Sequence, residues 1–286
     1  MIRAGGLLGS KASSHIIAEE NDLALELPKL DYRLVKRGIV EWLKRIVAAT
    51  GRGGVVLGLS GGVDSAVTAA LAAEALGGVR VKALIMPTSF TPQQDVEDAL
   101  NLADTLKLDR ELIPIDDVLE AYMKRLKPDA DKVSKGNLIA RVRMNIAYYY
   151  ANMLRRLVAG SGDRSEYLIG FFTKFGDGAA DLYPILHLYK TQVRELCRHM
   201  KLGETLCGKP SSPMLWPGHK AVDELPVDYP ILDKILYGLY DLGMDGKTVA
   251  EELGVDIALV EEVKRRHSST KHKRVAGYAP PRNTCP

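Results

Sequence analysis

Apolar positions recur along the chain at two different spacings, and the switches between them mark out the elements. From Asp31 to Ala49, residues Leu34, Val35, Ile39, Trp42, Leu43, Ile46 and Val47 fall three or four apart, one face of an amphipathic helix. Asp31 supplies an N-cap acceptor and Gly51 ends the run. The segment GVVLGLS is instead short and almost continuously apolar, which predicts a strand buried on both faces. VKALIMP, stopped by Pro87, and ELIPI read the same way, and a fourth short strand is expected around residues 157–160. Helical stretches separate these strands, from Asp64 to Leu76, from Pro92 to Leu106 and from Asn137 to Leu157. Such alternation predicts an α/β fold: a Rossmann-like parallel β-sheet flanked by helices and built from right-handed βαβ units. Ligands in such sheets sit beyond the carboxyl ends of the strands.

After Tyr183 the pattern changes. Thr191 to Met200 is helical, Lys209 to Pro217 carries three prolines and reads as a loop, and short helices follow near Tyr229–Leu242, Lys247–Leu253 and Ile257–Arg266. The expected organisation is a weakly ordered segment over residues 1–28, one domain over 29–274 with a small helical C-terminal part, and a tail over 275–286.

Composition narrows the function classes. With 286 residues and 46% apolar side chains, the chain can bury a sizeable core. Its 39 basic and 36 acidic residues leave a net charge of +3, which demands neither nucleic acid nor an anionic membrane as partner. No apolar run reaches the roughly 18 residues that a membrane span needs. The opening MIRAGGLLGS lacks the apolar stretch of a secretory signal. Cys197, Cys207 and Cys285 show no CxxC pairing, so three free thiols in a reducing cytoplasm are expected.

The chemistry concentrates in Ser60-Gly61-Gly62-Val63-Asp64-Ser65, between a strand and a helix. Two glycines let the backbone close around phosphate oxygens, with N–H groups at a helix N-terminus pointing inward. Asp64 would repel phosphate by itself, so a carboxylate at this place implies a bridging Mg²⁺. The plain alternative is a glycine turn with Asp64 as the helix N-cap. The sequence is not a Walker A loop, since no Lys follows the glycines.

SGGxDS resembles the pyrophosphate loop of the N-type ATP pyrophosphatases, which transfer AMP to an acceptor. Further blocks are similar to those of ammonia-dependent NAD synthetases: GNLIARVRM from Gly136, GSGDRSE from Gly160, GFFTKFGDGAAD from Gly170, LYKTQVR from Leu188, KPSSPMLWPG from Lys209 and HKR from His272. The resemblance runs in order from Asp31 to Arg274. Departures are small: Ser161 stands where many relatives have Thr, Asp163 where archaeal-type sequences often have Asn, and Ser211, Pro213 and Met214 alter the proline loop.

The resemblance implies an adenine nucleotide alpha hydrolase-like fold and an enzyme, a C–N ligase. Its reaction would be amidation of deamido-NAD with ammonia, driven by ATP through an adenylated carboxylate. By position, Gly58, Leu59, Ser60, Gly61, Gly62, Val63, Asp64 and Ser65 would hold the ATP phosphates, joined by Ser161, Lys190 and Ser212. Asp64 and Glu166 would bind Mg²⁺. Arg141, Lys174, Asp181, His272 and Lys273 would contact deamido-NAD, and Asp177 is the positional candidate for the base that deprotonates ammonium. Arg141 and Arg143 lie two apart on a helix and so face different ways, with Arg141 favoured as the ligand. The family also implies a homodimer, with the dinucleotide near the subunit interface.

Two other functions compete. A tRNA-modifying adenylating enzyme would want a basic or zinc-binding appendage, which charge and cysteine spacing do not supply. TVAEELGVDIALVEEVKRR has the look of a nucleic-acid-binding helix-turn-helix turning at Gly254.

Overall fold

The computed structural model describes residues 25–280. The N-terminal expectation over residues 1–24, the end of the tail, and Cys285 lie outside the described residues. Helix α1 (Tyr32–Ala49) is capped by Asp31, whose side chain accepts from the amides of Arg33 and Leu34. Then follow β1 (Val55–Gly58), α2 (Val63–Leu76), β2 (Val81–Ile85), α3 (Gln93–Thr105), β3 (Asp109–Leu112) and α4 (Asp116–Met123). The long α5 (Lys132–Leu154) leads into β4 (Leu157–Val158) and α6 (Arg164–Ile169). The remainder is helical: α7 (Lys190–His199), α8 (Glu204–Cys207), α9 (Tyr229–Tyr240), α10 (Gly246–Leu253) and α11 (Ile257–Ser269).

All strand pairs are parallel, in the order β3-β2-β1-β4. Alternation of side chains puts Val55, Leu57, Ala83 and Ile85 into one core with α1, α2 and α7. Val56 and Leu84 face the other way, against Ile139, Val142, Ala147 and Ala151 of α5. Both faces are covered, as the continuous apolar runs predict. The chain steps outward from β1 through β2 to β3 and then returns to place β4 on the other side of β1. That reversal opens a crevice at the carboxyl ends of β1 and β4, where this class of sheet binds its ligands.

A separate apolar cluster joins α6, α9, α10 and α11 through Leu168, Leu232, Leu236, Val249, Val260 and Val263. Leu25, at the start of the described chain, is buried in it.

Three sequence expectations need correction. Strand β3 ends at Leu112 rather than covering Glu111–Ile115, because its register pairs Lys82 with Asp109 and Ile85 with Leu112. Helix α5 begins five residues before Asn137, since Asp131 caps it by accepting the Ser134 amide at 2.7 Å. Cys197 and Cys207 are not free thiols: they form a disulfide, with Cα atoms 5.6 Å apart, that ties the end of α7 to α8.

Candidate active site

The glycine-rich loop follows β1 at the crevice. The Leu59 amide still pairs with the Leu84 carbonyl at 2.9 Å, so the loop departs from a fixed strand end. Gly61 has φ +77°, and a Cβ there would lie 2.2 Å from the Asp95 carbonyl oxygen, so only glycine fits. Gly62 is the N-cap of α2 and offers no side-chain acceptor, which leaves the first amides of the helix open towards the crevice. Asp64 lies in the first turn of α2 and is not its cap. The hydroxyls of Ser60 and Ser65 lie 3.0 Å apart, and Ser65 also donates to the Gly62 carbonyl at 3.0 Å.

Three carboxylates meet beside this loop. One oxygen each from Asp64, Asp163 and Glu166 falls within 4.8 Å of the others. The ammonium of Lys190 stands among them, 2.6 Å from Asp64, 2.8 Å from Asp163 and 2.9 Å from Glu166. Lys190 is 0% exposed; burial opposes its charge, but the three acids outweigh that and hold its pKa well above the usual lysine range. Burial pushes Glu166 well up, and the neighbouring acids add to it in spite of Lys190. Asp163, also fully buried, moves up for the same reasons. One ammonium thus serves three acids, and the buried Asp64 Oδ1 has no hydrogen-bond partner. An all-oxygen donor set with surplus negative charge fits Mg²⁺. Asp163 was not among the sequence-derived metal residues. Its place three residues before Glu166, where it caps α6 by accepting the Glu166 amide at 2.8 Å, was the available signal.

The crevice continues as a cavity of ≈ 390 Å³. The loop residues Gly58 to Ser65 line it together with Ser161, Ser212, Glu166, Asp177 and Lys273. Asp177 accepts the Thr173 amide at 2.9 Å, and although it opens onto the cavity, the protein packed around it holds its carboxyl above the ordinary range. Arg143 also lines the wall, donating to the Met86 carbonyl at 3.1 Å, with burial lowering its pKa to about 10. Sequence reasoning missed Lys209, which reaches back across the cavity to the Gly61 carbonyl at 3.1 Å and to Asp95 at 2.6 Å and Asp98 at 2.7 Å. It also missed His219, which stacks on Trp216 at 3.5 Å and pairs with Glu224.

Of the five residues assigned to deamido-NAD, Lys273 alone lines the cavity, with its ammonium on the Gly170 and Phe172 carbonyls at 2.8 Å each. Arg141, Lys174 and His272 form a linked group outside it: Arg141 donates to the Lys174 carbonyl at 3.2 Å, and Lys174 to the His272 carbonyl at 2.7 Å. Asp181 accepts from the Val158 amide at 2.7 Å and from Tyr148 at 3.2 Å.

The helix-turn-helix reading finds little support. Val249 and Ala250 of α10 and Val260 and Val263 of α11 are buried against α9. The α11 cations pair within their own helix, Lys264 with Glu261, and Arg265 and Arg266 with Glu262. Among the described residues, no helix is long and apolar enough to cross a membrane.

Comparison with known proteins agrees with this geometry. The NAD synthase family model matches residues 35–277. The NH(3)-dependent NAD(+) synthetase of Hyperthermus butylicus is 49% identical over 256 residues, covering 89% of this chain and 93% of that protein. Among solved structures, an NMN synthetase from Francisella tularensis superposes with a TM-score of 0.78 at 33% identity, covering 88% of this chain and 100% of that one. An NH3-dependent NAD synthetase from Campylobacter jejuni gives 0.74 at 31%, again over 88% and 100%. A glycine loop at the switch point of the sheet, an acid cluster beside it and a family match across most of its length together place the chain in the NAD synthase family.

Proposed function

We propose that the protein joins ammonia to the nicotinate carboxyl of deamido-NAD, giving NAD, with ATP cleaved to AMP and pyrophosphate. The observation that carries this reading is the meeting of Asp64, Glu166 and Lys190, from three separate elements, beside the open N-terminus of α2. The α2 amides and the Ser60 and Ser65 hydroxyls hold the phosphates, with Ser161, Lys190 and Ser212 completing the ATP contacts. Asp64 and Glu166 hold Mg²⁺, which when bound offsets charge on the phosphate oxygens. In the first step a nicotinate carboxylate oxygen attacks the α-phosphorus, the bond to the bridging oxygen breaks, and pyrophosphate leaves. Lys190 supplies positive charge where the departing oxygens gain negative charge. Ammonia nitrogen then attacks the carbonyl carbon of the acyl-adenylate, and AMP departs. Asp177 takes the proton that ammonium must lose, as its position at the cavity and raised pKa suit a base. Arg141, Lys174, Asp181, His272 and Lys273 hold the dinucleotide, with four of them outside the enclosed part of the site.

The working unit in this reading is a homodimer of one catalytic domain per chain, spanning residues 29–274, in the cytoplasm. The Cys197–Cys207 disulfide is compatible with that compartment if it persists as those of hyperthermophile intracellular proteins do.

The test is an assay with ATP, Mg²⁺, ammonium and deamido-NAD that follows AMP and NAD together. Equal yields support the proposal, whereas ADP, or AMP without NAD, contradicts it. Replacing deamido-NAD by the corresponding mononucleotide acid separates the two activities named for the structural neighbours.

A further inference from the structure

Asp233 lies on α9, a helix to which the reaction assigns no residue, and its side chain is fully buried. Its two oxygens take three donors. Oδ1 accepts the Ser165 hydroxyl at 2.6 Å, and Oδ2 accepts the Thr191 amide at 2.9 Å and the Thr191 hydroxyl at 2.8 Å. Ser165 Oγ in turn accepts the Lys190 amide at 2.9 Å. The first donors of α7, which a helix cannot satisfy internally, are thus met from two other elements.

Sequence neighbours give this arrangement its consequence. Ser165 directly precedes Glu166, and Thr191 directly follows Lys190. One carboxylate on α9 therefore grips both segments whose side chains meet at 2.9 Å in the acid cluster. No Lys, Arg or His pairs with Asp233 among the described residues, and burial pushes its carboxyl up to about 6. A buried carboxylate without a cation is costly, and here three donors on its two oxygens offset that cost. An amide cannot replace it here, because its NH₂ would face donors on one side.

We infer that Asp233 is a positioning residue for the ATP and cation site, acting through Ser165 and Thr191 to set Glu166 and Lys190 against Asp64. The inference rests on the assignment of Asp64 and Glu166 to the divalent cation. Outer partners of this kind set the orientation of the groups they hold, and their loss typically costs about 10–100-fold in metal affinity or activity.

The experiment uses the full chain and two variants, Asp233→Asn and Ser165→Ala, the second removing a single link. Asp245→Ala serves as control: Asp245 caps α10 in the same helical cluster, accepting the Lys247 amide at 3.0 Å, and touches nothing in the site. Mn²⁺ affinity by electron paramagnetic resonance titration, KM for ATP and Tm are measured on each. Asp233→Asn is expected to weaken Mn²⁺ binding and raise KM for ATP by about 10–100-fold, with Ser165→Ala moving both in the same direction by less. Asp245→Ala is expected to lower Tm and leave both constants at the parent's values. If Asp233→Asn does not fold, Ser165→Ala decides. Parent-like Mn²⁺ affinity and KM in the variants overturn the inference, as does an equal loss in Asp245→Ala. Should the parent itself bind no Mn²⁺, the cation assignment falls, and KM for ATP alone decides whether Asp233 positions the site.

Discussion

Two side chains illustrate how burial is balanced against charge. Lys190 holds its charge in the interior because three acids surround it, and Asp233 holds none of its partners by charge, only by hydrogen bonds. The sign of the Asp233 shift follows from its position. A carboxyl with a folded value of about 6 against 3.8 binds its proton more tightly in the folded protein. Its favourable contribution is fully present below 3.8 and is lost as pH rises through about 6. Asparagine cannot titrate, so the stability advantage of the parent over Asp233→Asn should shrink between these two pH values, by up to about 3 kcal/mol. Denaturant unfolding of both proteins across that range checks it; a constant or growing gap refutes the assignment. Asp177 makes a different prediction. Asp177→Asn keeps an acceptor for the Thr173 amide at nearly the same shape, so its folding should survive. Its kcat should fall by about 10²–10⁴-fold if the carboxylate is the base. A parent-like kcat, measured at saturating ammonium, removes Asp177 from the mechanism.

At the scale of elements, the Cys197–Cys207 bond fastens α7, which carries Lys190, to α8, just ahead of the Lys209 latch. Closing a loop of this length is worth about 3 kcal/mol through the unfolded chain. Cys207→Ala should lower Tm by several degrees, and reductant should lower the parent's Tm towards the same value; a parent Tm indifferent to reductant denies the bond. That pairing was not legible in the sequence, because two cysteines ten positions apart, on separate helices, give no periodic signal. The central strands were legible, since β1 and β2 lie under helices on both faces and are apolar but for Lys82. Edge strand β3 alternates between half-buried and exposed positions, and the search for an apolar run placed it too late. Helices α6 and α8, of six and four residues, are too short to show a helical period. The glycine loop could be found from its place between a strand and a helix, and Glu166 from the resemblance carried by GSGDRSE. Lys209 and Asp233 could not, as each works through partners far away along the chain, and the only signal for Asp163 was its cap spacing to Glu166.

For the whole molecule, the surface of one chain leaves a question that a second chain would answer. Leu112 on edge strand β3, Val118 and Tyr122 on α4, and Tyr149 and Met153 on α5 are all exposed, Tyr149 at 66% and Met153 at 56%. These elements are neighbours: α4 packs on α5, and Tyr150 of α5 bonds to Glu111 of β3. Tyr149 and Met153 are four residues apart and so share one face of the helix. Exposed apolar groups on adjoining elements are what a contact with a second chain would cover, and the aromatic ring of Tyr149 is the kind of residue on which such contacts depend. Helix α5 also carries Arg141, which leaves the enclosed cavity to join Lys174 and His272 at the surface. If two chains meet along α5, this open group lies near the joint, and dinucleotide binding should depend on assembly while ATP binding should not. Introducing charge with Tyr149→Glu and Met153→Lys is therefore expected to give monomers by light scattering and to raise KM for deamido-NAD more than KM for ATP. A doubly substituted protein that stays dimeric places the interface elsewhere, and one that becomes monomeric with both constants unchanged shows that each chain binds its dinucleotide alone.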